Sequence, residues 1–313
     1  MITQKKIIIC TIGILVFVLV YLKQNTSVGS SINIEQITNG LTSSTYEEKC
    51  LDLFKKQRHP NEKLINRPPL KEIPADMIDD FTMQGKMPNT QYWYFNDAYS
   101  DSDSNNKTIN YEYSIMEIAQ LVENVKNKIA QPHYGDKVLN DLIGNHSNYI
   151  KDKSVVVIGT QFPWVEAIAY YHGASHITTL DYTRKKYRVA NMSWYHVNDF
   201  LDEHIKSRKL EEFDVAISFS SIEHSGLGRY GDPLNPNGDI EAMQQMHCLL
   251  KPGGLVFLAV PASSDGKSYM QFNAHRVYGT ARLEAIFNGW ELLNKTWDSS
   301  GIHGIYILKK IQK

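Results

Sequence analysis

Apolar positions are laid out in three ways along this chain, and each layout predicts a different kind of element. The first is an unbroken run. From Ile7 to Leu22 the sequence reads IIICTIGILVFVLVYL, sixteen residues without a charge, with Lys5 and Lys6 before it and Lys23 after it. A helix over that run is about 24 Å long, against a hydrocarbon core of about 30 Å. A thin membrane and the stems of the flanking lysines make up the difference. Neither face carries a polar stripe, so the run predicts a transmembrane signal-anchor rather than a buried core helix. A signal peptide cleaved after Gly29 is the other reading. The basic residues outweigh Lys23 on the N-terminal side, which keeps that end cytoplasmic. The expectation is a single-pass membrane protein with its C-terminal domain luminal or extracellular, or a secreted one if the segment is cleaved.

The second layout has helical spacing. After Ser114, a residue suited to cap a helix, Ile115, Ile118, Leu121, Val122, Val125 and Ile129 recur on one face. The third is a set of short β-branched runs alternating with helical stretches. SVVVIG (154–159), HITTLDY (176–182), a stretch near 194–198, FDVAISFS (213–220) and LVFLAVP (255–261) predict strands, followed by WELLNKTW and GIYILKK. Helices are predicted from Pro163 to about Tyr171, from Asp239 to Leu250 and over ARLEAIF (281–287). Strands alternating with helices specify an α/β fold, a Rossmann-like doubly wound and mostly parallel sheet. Residues 23–70 are polar and mixed, with one short helix near 45–57. Residues 71–110 read as irregular, with an aromatic cluster (Tyr92, Trp93, Tyr94, Phe95) and the run DSDSNN. The expected organisation is an anchor over 1–23, a stem and irregular extension over 24–110, and an α/β domain over 111–313.

Charge and composition narrow the function classes. The 313 residues hold 33 Lys+Arg and 34 Asp+Glu, so no bulk positive field points to nucleic acid. Three cysteines are too few for a disulfide scaffold and lack zinc spacing. Cys50 and Cys248 either pair, or Cys248 is a buried thiol of a core helix. Sequons at Asn25, Asn106, Asn145, Asn191 and Asn294 agree with a glycosylated body, although chance alone supplies several in a chain this rich in Asn, Ser and Thr.

Ligands of a parallel sheet lie beyond the carboxyl ends of its strands, so the chemistry belongs there. The first strand runs into Gly159-Thr160-Gln161, a turn before a helix. Asp181 ends the second strand 22 residues after Gly159, near the spacing at which a carboxylate meets ribose hydroxyls. The fourth strand ends in Ser220-Ser221-Ile222-Glu223-His224, and Lys251-Pro252-Gly253-Gly254 turns a helix into the fifth strand. The set FDVAIS, EH, LLKPGG and LVFLAVP, in this order over residues 150–310, resembles the class I S-adenosylmethionine-dependent methyltransferases. SSIEHSGLGRYGDPLNPNGD (220–239), GTQFPWVEA (159–167) and HRVYG (275–279) resemble more closely a nematode family of unknown function within that methyltransferase-like superfamily.

The resemblance implies S-adenosylmethionine as cofactor, held by Gly159, Thr160, Gln161, Asp181, Asp199 and Ser220. Typical members carry a G-x-G-x-G turn, whereas here Gly159 stands alone; the cofactor binds in a modified pose or does not bind. His224, with Glu223 beside it, is the candidate catalytic base for a hydroxyl acceptor; the alternative is that the two hold the loop 225–238. Arg229, Tyr230 and Asp232 on that loop, and His275, Arg276 and Tyr278 after the fifth strand, are the candidate acceptor contacts, with Arg suited to a carboxylate or sugar. Glu223, His224, Asp232 and His247 lack the spacing of a metal site, so none is assigned. The leading expectation is methyl transfer to an oxygen of a glycan or small acceptor in the secretory pathway. The rivals are an inactive binding protein of the same fold and an anchored glycosyltransferase using Asp101-Ser102-Asp103.

Overall fold

In the computed structural model, described residues are 46–55, 70–90, 94, 111–129, 137–200, 202–203, 210–230 and 232–311. The β-branched runs form the sheet. Strands β1 (Ser154–Ile158), β2 (His176–Asp181), β3 (Met192–His196), β4 (Phe213–Phe219), β5 (Leu250–Pro261), β6 (Trp290–Trp297) and β7 (His303–Lys310) lie in the order β6-β7-β5-β4-β1-β2-β3. Val155 to Ile158 of β1 pair in parallel with Ile177 to Leu180 of β2 and with Val215 to Ser218 of β4. Within this sheet β7 runs opposite to the other six strands, antiparallel to both β5 and β6. The third strand starts two residues earlier than the sequence pattern predicts, at Met192.

Alternation along each strand divides the core. Val155 and Val157 face one layer of helices, α2 (Ile115–Lys126), α3 (Lys137–Asn145) and α4 (Trp164–Tyr171). Val156 faces the other layer, made by helix α1 (residues 46–55), α5 (Gly238–Leu249) and α6 (Thr280–Ile286). Both sides of β1 are sealed, which is why its run is continuously apolar. Ser114 caps α2 through a reciprocal pair with Glu117, as the spacing predicts, but the helix stops at Lys126 and Ile129 is exposed.

Two segments expected to be stem or irregular pack against this frame. Cys50 on α1 is disulfide-bonded to Cys248 on α5, and Tyr46 donates a 3.2 Å hydrogen bond to the His247 carbonyl. Residues 75–81 form two helical turns, and Phe81 and Met87 pack with Leu227, Met270 and Phe272 beneath the loop that follows β4.

The single-pass membrane expectation is corrected here: among the described residues, no helix is long and apolar enough to cross a membrane. The run at 7–22 on which that expectation stood lies outside the described residues. So do Asp101-Ser102-Asp103, the sequons at Asn25 and Asn106, and Tyr92, Trp93 and Phe95.

Candidate functional site

The chain passes from β1 outward to β2 and β3, then returns across β1 to β4. Connections therefore leave the carboxyl ends of β1 and β4 in opposite directions and open a crevice between them. Gly159 closes β1 at φ +67° and its N–H donates to the Leu180 carbonyl at 2.9 Å. A Cβ there would lie 2.1 Å from Ser221 Oγ. The glycine is thus demanded twice, by a left-handed backbone and by the β4 turn pressed against it.

Beyond Gly159 the turn is stitched to β2 rather than left open. The Thr160 N–H donates to Asp181 Oδ2 at 3.0 Å, and its hydroxyl donates to Glu166 Oε1 at 2.7 Å. The same Glu166 oxygen accepts from Thr179 Oγ1 and Tyr187 Oη, while its Oε2 has no partner. Burial holds this carboxyl above its usual range despite those bonds. Asp181 Oδ2 also takes Lys185 Nζ at 2.5 Å, and its Oδ1 takes the Thr183 N–H at 3.0 Å. Three of about four acceptor positions on the carboxylate are therefore used, leaving one on Oδ1. Neither Lys185 nor Glu166 is marked as a site residue by the sequence pattern. Their signals are a lysine four residues after Asp181 and a lone carboxylate in the apolar stretch WVEAIA.

At the end of β4, Ser220 sits at φ +49° and its hydroxyl donates to Glu223 Oε1 at 2.6 Å. Glu223 is fully buried, and burial lifts its carboxyl to about 7 against the Ser220 bond and the charges of Arg229 and Arg276. His224 Nδ1 lies 2.6 Å from the Ala274 carbonyl, which puts the proton on Nδ1, and Nε2 lies 3.6 Å from Glu223 Oε1. Burial, then the Arg229 charge, push this imidazole down to about 3. His224 is consequently neutral at pH 7 and a far weaker base than an unperturbed histidine.

The loop 225–238 is a folded plug. Asp232 accepts backbone N–H bonds from Gly226 at 2.7 Å, Tyr230 at 3.3 Å and Gly228 at 3.4 Å. Arg276 and Arg282 fasten the plug from below. Arg276 Nη1 donates to the Ser225 carbonyl at 2.6 Å and Arg282 Nη2 to the Pro236 carbonyl at 2.7 Å. Asp239 supplies the counter-charge to both and accepts from Tyr278 Oη at 2.9 Å. Burial alone would raise Asp239, but the two guanidinium charges and these hydrogen bonds outweigh it and hold it low.

Between the sheet ends, α1 and the loop lies a cavity of about 580 Å³, within the range of small-molecule sites. Of the predicted cofactor contacts, Gly159, Thr160, Gln161, Asp181 and Ser220 line it. Asp199 does not: it is turned to solvent on a short helix whose Val197 and Phe200 do reach the wall. Of the acceptor and catalytic candidates, His224, Arg229, Tyr230, Asp232 and His275 line it. Glu223 lies behind the wall. Arg276 and Tyr278 do not line it: both are buried beneath the loop, where Arg276 Nη1 and Nη2 donate to loop carbonyls and Tyr278 Oη donates to Asp239. Phe54 of α1, Leu180, Val197, Phe200 and Met246 make one side apolar. Among the described residues, no group of three or more His, Cys, Asp or Glu is arranged to hold a metal.

The sheet order defines an α/β fold with a mostly parallel central sheet and a crevice at its switch point. Residues 152–307 match the family described as Caenorhabditis protein of unknown function, DUF268. No curated protein matches the sequence. Among solved structures, a 1,6-didemethyltoxoflavin-N1-methyltransferase from Burkholderia thailandensis, solved with 1,6-didemethyltoxoflavin and S-adenosylhomocysteine, is similar at 12% identity and TM-score 0.39, covering 63% of this chain and 87% of that one. The N-methyltransferase NodS from Bradyrhizobium japonicum WM9, solved with S-adenosyl-L-homocysteine, is similar at 12% identity and TM-score 0.38, covering 61% and 99%. The cyclase SpnF is similar at 14% identity and TM-score 0.41, covering 63% and 93%.

Proposed function

We propose that this protein is an S-adenosylmethionine-dependent methyltransferase that alkylates an oxygen of a small-molecule or glycan acceptor. The observation that carries the reading is the single cavity wall shared by the β1 turn, the Asp181 carboxylate and the segment after β4. The residues present suit the cofactor in two respects. The apolar side built from Leu180, Val197, Phe200 and Phe54 matches a purine, and the remaining lone pair on Asp181 Oδ1 can accept from one ribose hydroxyl. Lys185, paired with the other oxygen, fixes the orientation of the carboxylate. When bound, the cofactor supplies an electrophilic methyl group on sulfur. The chain's own residues then orient the acceptor and exclude water, since positioning is the larger part of such catalysis.

Calorimetry on the purified chain tests this. Both S-adenosylmethionine and S-adenosylhomocysteine are expected to bind, and Asp181→Asn is expected to weaken each by about tenfold, about 1.4 kcal/mol. Lack of affinity for both compounds would sink the reading. The second reading, a binding protein without turnover, draws on the single-glycine turn and on the internal bonds that occupy most of Asp181. Binding of cofactor without consumption of any acceptor would favour it.

A further inference from the structure

Among the described residues, the acceptor end of the cavity carries no group placed to deprotonate a hydroxyl. His224 directs Nδ1 at the Ala274 carbonyl and keeps Nε2 beside Glu223, while Glu223 itself is behind the wall. The two carboxylates on the wall are engaged elsewhere: Asp181 with Lys185 and two backbone N–H groups, Asp232 with three backbone N–H groups. His275 is held down to about 4 by burial and by the charges of Arg229 and His303, so it is neutral too.

The same end instead presents the guanidinium charge of Arg229 beside neutral polar rings. The Arg229 guanidinium carbon lies over the Tyr230 ring, 5.1 Å from its centroid, a cation–π contact that holds the group at the wall. Its Nη1 lies 3.4 Å from His224 Nδ1 and from the Ala274 carbonyl. The rings of His224 and Tyr230 are 5.5 Å apart, and those of His224 and His275 are 6.3 Å apart. Arginine, two imidazoles and a phenol thus converge on one lobe of the wall. A planar guanidinium held over an aromatic ring is matched to a planar anion.

We propose that the acceptor is a carboxylate and that the reaction is carboxyl O-methylation, with Arg229 and His275 binding the anionic group. This rests on the methyltransferase reading and specifies its substrate class. The balance needs no base: a carboxylate oxygen attacks the sulfonium methyl, the O–C bond forms as the C–S bond breaks, and the bonding pair leaves on sulfur. The products are a methyl ester and S-adenosylhomocysteine. No proton moves, in accord with a site whose histidines are neutral and whose wall carboxylates are already engaged.

The carboxylate can belong to an aromatic acid or to a uronic acid of a glycan, so the test carries both. The full chain, with S-adenosylhomocysteine present, is titrated with benzoate and benzamide, and with glucuronate and glucose. One acid is expected to bind at least tenfold tighter than its neutral counterpart. Arg229→Gln should abolish that preference while leaving S-adenosylhomocysteine affinity within twofold, and Arg229→Lys should keep part of it. Equal binding of acid and neutral probe, or a preference that survives Arg229→Gln, overturns the assignment. Failure of S-adenosylhomocysteine to bind the unaltered chain instead overturns the methyltransferase reading and leaves the anion preference separately measured. With labelled S-adenosylmethionine and the acid that binds, label released as methanol by mild alkali is the expected ester; label retained overturns it.

Discussion

Glu223 and His224 are neighbours in the chain, yet the same burial displaces them oppositely. The fold raises the Glu223 carboxyl from its ordinary 4.5 to about 7, so it favours the protonated form. Its contribution to stability is complete below about pH 4.5 and is lost as pH rises through 7. His224 is lowered to about 3, so its contribution is complete above about pH 6.5 and is lost as pH falls through 3. Between pH 4.5 and 6.5 the two slopes oppose each other, and above 6.5 only Glu223 remains. Glu223→Gln retains an acceptor for the Ser220 hydroxyl but cannot ionise. Urea unfolding at pH 5, 6.5 and 8 should show the variant keeping stability that the parent sheds, with a difference approaching about 3 kcal/mol by pH 8. Parallel profiles for the two proteins would show that Glu223 does not titrate in this range. Both residues were visible in the sequence as the first titratable pair after an apolar strand. Their protonation was not, because it depends on Ala274, Arg229 and Arg276, residues up to 53 positions away.

Elements differ in how far their neighbours could be read ahead of the fold. β1 and β4 announce themselves because a strand sealed on both faces must be apolar throughout, and the Pro-Gly-Gly turn before the apolar stretch of β5 is local chemistry. Helix α1 is another matter. Its residues are polar and mixed, and its role as one wall of the cavity follows from Cys50 and Phe54 meeting α5 and the sheet, 198 residues along the chain in the case of Cys248. Likewise, an arginine carries no local mark of its direction: Arg276 reads as a ligand contact but points into the Asp239 cluster. The covalent tie at Cys50–Cys248 closes a long loop, so its loss should cost about 2–5 kcal/mol. Thermal unfolding with and without reductant measures this directly. Reductant should lower the midpoint of the parent, and Cys248→Ser should start at that lower midpoint and ignore reductant. A parent midpoint indifferent to reductant would show that the tie contributes nothing.

At the scale of the molecule, the cavity is where three independently braced parts meet. The sheet contributes the ends of β1 and β4, α1 contributes Phe54, and the loop 225–238 contributes Arg229 and Tyr230. Each part has its own fastening: the β-ladder, the disulfide, and the Asp239 cluster with Phe81 and Met87 beneath it. A ligand touching all three binds the folded state alone and stabilises it by mass action, by about 2.7 kcal/mol at a hundred times its dissociation constant. For a unit of this size that corresponds to a rise of about 5 °C or more in the unfolding midpoint. S-adenosylhomocysteine at saturation should produce that rise, and should slow amide exchange in 225–238 as well as at Thr160 and Thr183, whose N–H groups already bond Asp181. Protection confined to the Asp181 end would mean that the ligand fills the apolar side without reaching the loop, and the acceptor would then meet the loop alone. A midpoint and an exchange pattern both unmoved would mean that the three parts frame a cavity for some other molecule.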